Sequence, residues 1–225
     1  MAFLSFFKRY KKFGIFFSVL CVAIIAIIYN ILNVEKPLPI YQPVNFEPKL
    51  VDSTIQHIEK YHTVADFSLI NQNGDTITQD TYKDKIYIAD FFFTTCKTIC
   101  PIMTDHMVYI QNNVLEDNDI LLLSHSVTPE IDSVAQLKRY ANKKGVVDSK
   151  WNLVTGDRKE IYDLARKSYL VVEDDGMGNY GMVHTENFAL IDKKRQIRGV
   201  YSGIRKSAID SLLKDIETLK KEYKQ

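Results

Sequence analysis

The chain has 225 residues, about one and a half average domains. Its 29 Lys+Arg and 28 Asp+Glu nearly cancel, which argues against a nucleic-acid binder, since such proteins carry a net basic face. The 46% apolar fraction supports one real core and excludes disorder of the whole chain, and three cysteines are too few for a disulfide scaffold.

The charge is unevenly spread. Residues 1–32 hold the basic Lys8, Arg9, Lys11 and Lys12 and no acidic residue, so the remainder carries 25 basic against 28 acidic side chains. Phe13 to Leu32 is free of charge and, at ~1.5 Å per residue, spans about 30 Å as a helix, the thickness of a bilayer core. A secretory signal has a shorter apolar core ending in small residues, whereas this one ends Ile-Ile-Tyr-Asn-Ile-Leu. The sequence therefore predicts a cytoplasmic basic N-terminus (1–12) and an uncleaved transmembrane anchor (13–32). Cys21 is not read as a lipid-bearing residue, because Leu20 precedes it and the apolar run continues past it. With the positive charges before the span, everything after residue 33 is expected on the outer side of the cell's inner membrane, the periplasm or outer face. Thiols can be oxidised there.

Residues 33–60 carry Pro37, Pro39, Pro43 and Pro48 and are expected to form a stiff, extended tether. The folded domain is expected over 61–225. Asp66–Ile70 and Thr76–Thr78 flank Asn71-Gln72-Asn73-Gly74, a hairpin signal. Lys85–Phe93 reads as a central strand buried on both faces, residues 101–116 as a helix, and Ile120–Val127 as a second buried strand. Ser133 with Gln136 forms a capping-box pattern opening a helix to about Lys143. Asp157 opens another, with Ile161, Leu164 and Ala165 on one face. Asn187–Asp192 and Gln196–Tyr201 read as a hairpin, and Ile209, Leu212, Leu213, Ile216 and Leu219 mark a final amphipathic helix. Alternating strands and helices, then a hairpin and a helix, imply an α/β sandwich with a mixed sheet.

The candidate site lies where the first central strand ends, at Thr94-Thr95-Cys96-Lys97-Thr98-Ile99-Cys100-Pro101. Cys96 falls at the strand-to-helix junction and Cys100 one turn later, so both sulfurs can share a face. A helix N-terminus stabilises thiolate, and Pro101 suits a first turn that needs no backbone donor. Two such sulfurs fit a soft metal or a dithiol/disulfide couple. Of the histidines, His57 and His62 are read as solvated surface residues, and His106 as a surface or packing residue. His125 ends a buried strand and is read as structural, with a ligand or supporting role as the alternative. His184 follows a polar loop from Glu173 to Gly181 and is placed to close over the sulfurs. Met103, Met177 and Met182 are potential thioether donors that read more naturally as packing.

From about Asp66 onward these features resemble the Sco/SenC family, membrane-anchored copper proteins with a thioredoxin-like fold. The resemblance rests on FFFTTC-KTI-CP, SVTPEIDSVAQLKRYA, WNLVTG and MVHTENFALID. An ordinary thioredoxin-like reductase has Cys-x2-Cys and a proline before its last long strand, where Val183-His184-Thr185 stands here. The resemblance implies that Cys96, Cys100 and His184 bind one copper, as Cu(I) or Cu(II). It implies a metallochaperone rather than an enzyme, acting on the cytochrome c oxidase subunit that holds the binuclear copper A site, by delivery or by thiol reduction. A thioredoxin-like reductant would be a further partner. The family's Pro and Asp between the cysteines are replaced by Lys97 and Thr98, its Val-Asp-Pro by Val127-Thr128-Pro129, and its Asp before the histidine by Val183. Two other classes remain open on the cysteine pair: a thiol–disulfide oxidoreductase, with Cys96 attacking and Cys100 resolving, and a thiol peroxidase.

Overall fold

A computed structural model describes residues 11–32, 36–48, 51–171 and 185–224. The chain divides into two compact units, Met1–Pro37 and Leu38–Gln225. In the first, helix α1 (Lys11–Leu32) is free of charge from Phe13 onward, and its stretch Lys11–Tyr29 is long and apolar enough to cross a membrane.

The second unit is built on a seven-stranded sheet. Its strands are β1 (Ser68–Asn71), β2 (Thr76–Thr78), β3 (Ile86–Phe92), β4 (Ile120–Ser126), β5 (Trp151–Thr155), β6 (Asn187–Ile191) and β7 (Ile197–Ser202). The order across the sheet is β2-β1-β5-β4-β3-β6-β7. The central β5-β4-β3 strands are parallel, and the remaining pairings are antiparallel. Between them run α2 (Ile99–Asn113), α3 (Val134–Lys144) and α4 (Arg158–Asp163), the last continuing as a π-helical segment over Leu164–Tyr169. Helix α5 (Lys206–Glu222) closes the fold.

Strand alternation sorts the core into two layers. Ile86, Ile88 and Phe92 of β3 face α2, α3 and α5, packing with Cys100, Met103, Met107, Leu137, Leu212 and Ile216. Tyr87, Ala89 and Phe91 face the other way, onto the α4 segment and Val64, Phe67 and Tyr82. Every residue of β3 is buried, which explains why it is apolar at every position but Asp90. Local chemistry sets several boundaries. Gly74 takes φ +86° in the first hairpin turn. The Ser133 hydroxyl accepts from the Gln136 N–H at 3.3 Å, and the Asp157 carboxylate accepts from the Glu160 N–H at 2.8 Å, each satisfying a free donor at a helix start.

Two expectations need correction, and one strand is an addition to them. The proline-rich stretch is not a free tether beyond residue 37. The Leu38 N–H donates to Glu222 at 2.7 Å, the buried Arg198 donates to the carbonyls of Leu38 and Pro39, and the Tyr41 N–H donates to the Ile197 carbonyl at 2.8 Å. Val51 is in the core. His62 is buried rather than solvated: its Nε2 donates to the Ser168 carbonyl at 2.8 Å, and its backbone N–H donates to Gln42. β5 was not foreseen as a strand, and it extends the parallel set by pairing with β4.

Candidate functional site

The β3 strand delivers the chain to the site, and α2 receives it after the six residues 93–98. Helix α2 begins at Ile99, so Cys100 lies in its first turn and Pro101 beside it, where the missing N–H costs nothing. Both cysteines are free thiols, Cys96 half-buried and Cys100 buried at 3% exposure. Their environments push them apart. Burial alone would raise the Cys96 thiol, but hydrogen bonds outweigh it and bring it down to about 7. They come from the Thr98 side chain and from the backbone of Cys100 and Thr98, with the Cys100 thiol adding to them. The Thr98 hydroxyl is 3.5 Å from Cys96 Sγ. Burial pushes the Cys100 thiol up to about 12, a Phe93 backbone hydrogen bond opposing, and Cys96 and Asp90 add to the rise. The pair therefore offers one accessible sulfur, partly ionised at neutral pH, and one enclosed sulfur that keeps its proton until something takes it.

Beneath Cys100, on the same face of the sheet, lies a second ionisable group that inspection of the sequence passed over. Asp90 is paired in register with Ser124 of β4, is 2% exposed, and accepts a hydrogen bond from the Ser124 hydroxyl. That hydroxyl accepts in turn from the Trp151 indole N–H at 2.9 Å. Burial raises the Asp90 carboxyl to about 7, the Ser124 bond opposing. Its signal was a lone carboxylate within an otherwise apolar strand.

The structure places the remaining candidates as follows. His125 sits on the opposite face of the sheet from Cys100, stacked on Phe91 at 4.6 Å and beside Phe67 and Tyr169. Burial lowers its imidazole to about 4, so it is neutral, and its Nδ1 lies 3.2 Å from the Asp90 carbonyl. It is a core residue of the far layer. His106 donates from Nδ1 to the Gly203 carbonyl at 2.6 Å, joining α2 to the turn after β7, and His57 is exposed. Met103 is fully buried packing. His184, Met177 and Met182 lie outside the described residues. Lys97 is exposed, and Thr128 donates its hydroxyl to the buried Asp132.

A mixed sheet with helices on both faces, a parallel centre and a cysteine pair at the exit of the central strand defines a thioredoxin-like dithiol domain. Within that class the chain belongs to the SCO1/SenC family, whose family model matches residues 55–221. It is 31% identical to a SCO1 protein homolog of Bacillus subtilis over 159 residues, covering 70% of this chain and 82% of that one. Among solved structures, BsSco, described with a disulfide switch and as a member of the Sco family of cytochrome c oxidase assembly proteins, is 31% identical. It aligns with TM-score 0.61 over 70% of this chain and 93% of that one. Copper-bound ScoI of Arabidopsis thaliana shares the fold at 24% identity, with TM-score 0.53 over 69% of this chain and 98% of that one.

Proposed function

We propose that this protein is a membrane-anchored copper carrier for the assembly of cytochrome c oxidase, holding one copper on Cys96, Cys100 and His184. The observation that carries the reading is the pair of free thiols at the β3–α2 junction, Cys96 half-exposed and Cys100 buried in the first turn of α2. Thiolates select Cu(I), and an imidazole adds a donor acceptable to Cu(II) as well. Cys96 would be the entry ligand, since its sulfur is the more exposed of the two. The Cys100 thiol then loses its proton as its sulfur bonds, which favours an ion able to displace that proton. The client is the copper A subunit of the oxidase, loaded with copper or kept reduced by the same sulfurs, and a thioredoxin-like reductant restores the dithiol. The domain works on the outer face of the membrane, since the basic residues precede the span.

The test is copper titration of the detergent-solubilised chain. One copper per chain is expected. Cys96→Ser and Cys100→Ser each abolish tight binding, and His184→Ala chiefly loses Cu(II). Protein oxidised to a Cys96–Cys100 disulfide should take up none, because the same sulfur lone pairs serve both bonds. Tight stoichiometric copper on the disulfide form refutes the ligand assignment. The thiol–disulfide reading draws on the same pair and needs no His184: unchanged reductase activity in His184→Ala, with no copper bound by the wild type, favours it. A domain confined to the cytoplasm by reporter fusions after residue 60 overturns the topology.

A further inference from the structure

The segment that carries Cys96 is short and has few bonds of its own. Between the end of β3 at Phe92 and the start of α2 at Ile99, the Cys96 N–H donates to the Phe93 carbonyl at a long 3.3 Å. The strongest tie comes from elsewhere in the fold. Asp132, in the loop between β4 and α3, is completely buried. Its carboxylate accepts from the Thr94 N–H at 3.1 Å, the Thr94 hydroxyl at 2.5 Å, the Ser126 hydroxyl at 2.6 Å and the Thr128 hydroxyl at 3.1 Å. None of these partners is a cation, so the carboxylate is held by four donors converging from three places in the chain. Gln136 of α3 adds a fifth bond, donating to the Thr94 oxygen at 3.0 Å, and is itself braced by Arg139 at 2.7 Å. Thr94 is thus fixed through its backbone and through both roles of its hydroxyl, two residues before Cys96.

We propose that Asp132 is the positioning residue of the dithiol site, pinning the exit of β3 to the exit of β4 so that Cys96 is presented to Cys100 at one fixed approach. The proposal deepens the function given above and rests on its premise that the two sulfurs act together. It touches neither copper nor sulfur and acts through Thr94. Charge-assisted bonds to a buried carboxylate are stronger than neutral ones, and a site whose ligands are held in advance spends less binding free energy on ordering them. Thr128 belongs to the same cluster, so the position where the resembling family carries an acid here supplies a donor to the acid at 132.

The experiment uses the full chain in detergent with two conservative variants. Thr94→Val keeps the side-chain shape and deletes the hydroxyl. Asp132→Asn keeps the volume and removes the charge. Three quantities are read: Cu(I) affinity by competition with a chromophoric chelator, the equilibrium of the Cys96–Cys100 pair with glutathione, and urea unfolding followed by fluorescence of Trp151. In the second, the protein dithiol and glutathione disulfide exchange to give the protein disulfide and two glutathione thiols. Each variant should remain folded, bind Cu(I) about tenfold more weakly and form its disulfide about tenfold less readily, equivalent to about 30 mV. Variants that unfold more easily yet keep both constants within about twofold of wild type would show a purely structural role and overturn the proposal. If Asp132→Asn fails to fold, Thr94→Val decides on the same criterion. A wild type that binds no Cu(I), with the tenfold disulfide shift present in the variants, would sink the copper reading and leave the positioning role standing.

Discussion

Asp90→Asn should flatten the dependence of domain stability on pH. The Asp90 carboxyl rises from 3.8 to about 7 because it is buried with no cation, its partner being the Ser124 hydroxyl. The ionisable groups that share its environment are Cys100 and Tyr140, both of which its charge raises further. Below pH 3.8 the carboxyl is protonated in the folded and unfolded states alike, and folding carries no penalty. As the pH climbs, the unfolded chain releases its proton first, so stability falls until the folded group also ionises near 7, and levels off above it. An acid weakened about a thousandfold corresponds to roughly 4 kcal/mol. The Asn side chain brings a buried amide donor that costs about 1–3 kcal/mol, but that cost does not change with pH. The lowered carboxyls of Asp117, Asp148 and Asp163 add a rise in stability above their own range that is common to both proteins and cancels in the difference. The assay is urea unfolding from pH 4 to 8 read by Trp151, the single tryptophan of the chain, which lies in the core beside Ser124 and so reports on the domain even in the full chain. With a urea slope of about 2 kcal/mol/M, the wild-type midpoint should drop by about 2 M relative to the variant across that range. Parallel profiles for the two proteins would mean that Asp90 ionises normally and that the buried carboxyl has been misjudged.

Iodoacetamide at pH 7.5 should modify Cys96 well before Cys100, with a rate that climbs through about pH 7 and then levels, because the Cys96 sulfur is half-exposed and the Cys100 sulfur is enclosed and raised to about 12. Peptide mass mapping that finds Cys100 labelled first would contradict this. Arg198→Ala should cost about 3–5 kcal/mol in urea unfolding, since it leaves the buried Asp192 carboxylate, held at 3.1 Å, with backbone donors from Lys194 and Gln196 but without its guanidinium, and releases Glu222 at 2.6 Å. A loss below about 1 kcal/mol would mean that the network relaxes without the guanidinium. Ser133→Ala should remove the cap on α3 at a cost of about 1 kcal/mol, or about 2–4 °C in melting temperature for a domain of this size. No change in melting temperature would show that water replaces the hydroxyl at no cost.

How much was legible in the sequence depended on whether the cause was local. β3, the Asn71–Gly74 turn, the Ser133 and Asp157 caps and the α5 stripe follow from residues within one turn or strand of each other, and the structure places them as expected, within a few residues at the ends. The cysteine pair was equally local. β5 has only five residues and is a strand because β4 and β1 flank it, which no pattern in Trp151–Thr155 states. Prolines predicted an extended course, which holds at Tyr41 and Gln42 but gives way to a 3-10 turn at Pro43–Asn45, and extended backbone is as ready to lie along a sheet as to hang free. The deciding partner, Arg198, is 160 residues from Leu38. His62 was misread for the same reason, its partner Ser168 being 106 residues away. For His125, alternation along β4 was visible, but which face the cysteines occupy is fixed only once α2 crosses the sheet. The Asp132 cluster joins Thr94, Ser126, Thr128 and Gln136 through space, and no spacing rule points to it.

The bonds from residues 38–41 to β7 have a consequence for how many copies can share a surface. β7 is the outermost strand on its side of the sheet, and an uncovered outer strand is a template for pairing with another chain. Here the Ile197 carbonyl is taken by Tyr41, the Arg195 carbonyl by Val64, and the Arg198 guanidinium by the chain running past it. The opposite margin is β2, three residues long, too short to recruit a neighbour effectively. Residues 38–41 thus occupy the β7 margin at Ile197, where a strand from a second copy would otherwise find a free carbonyl.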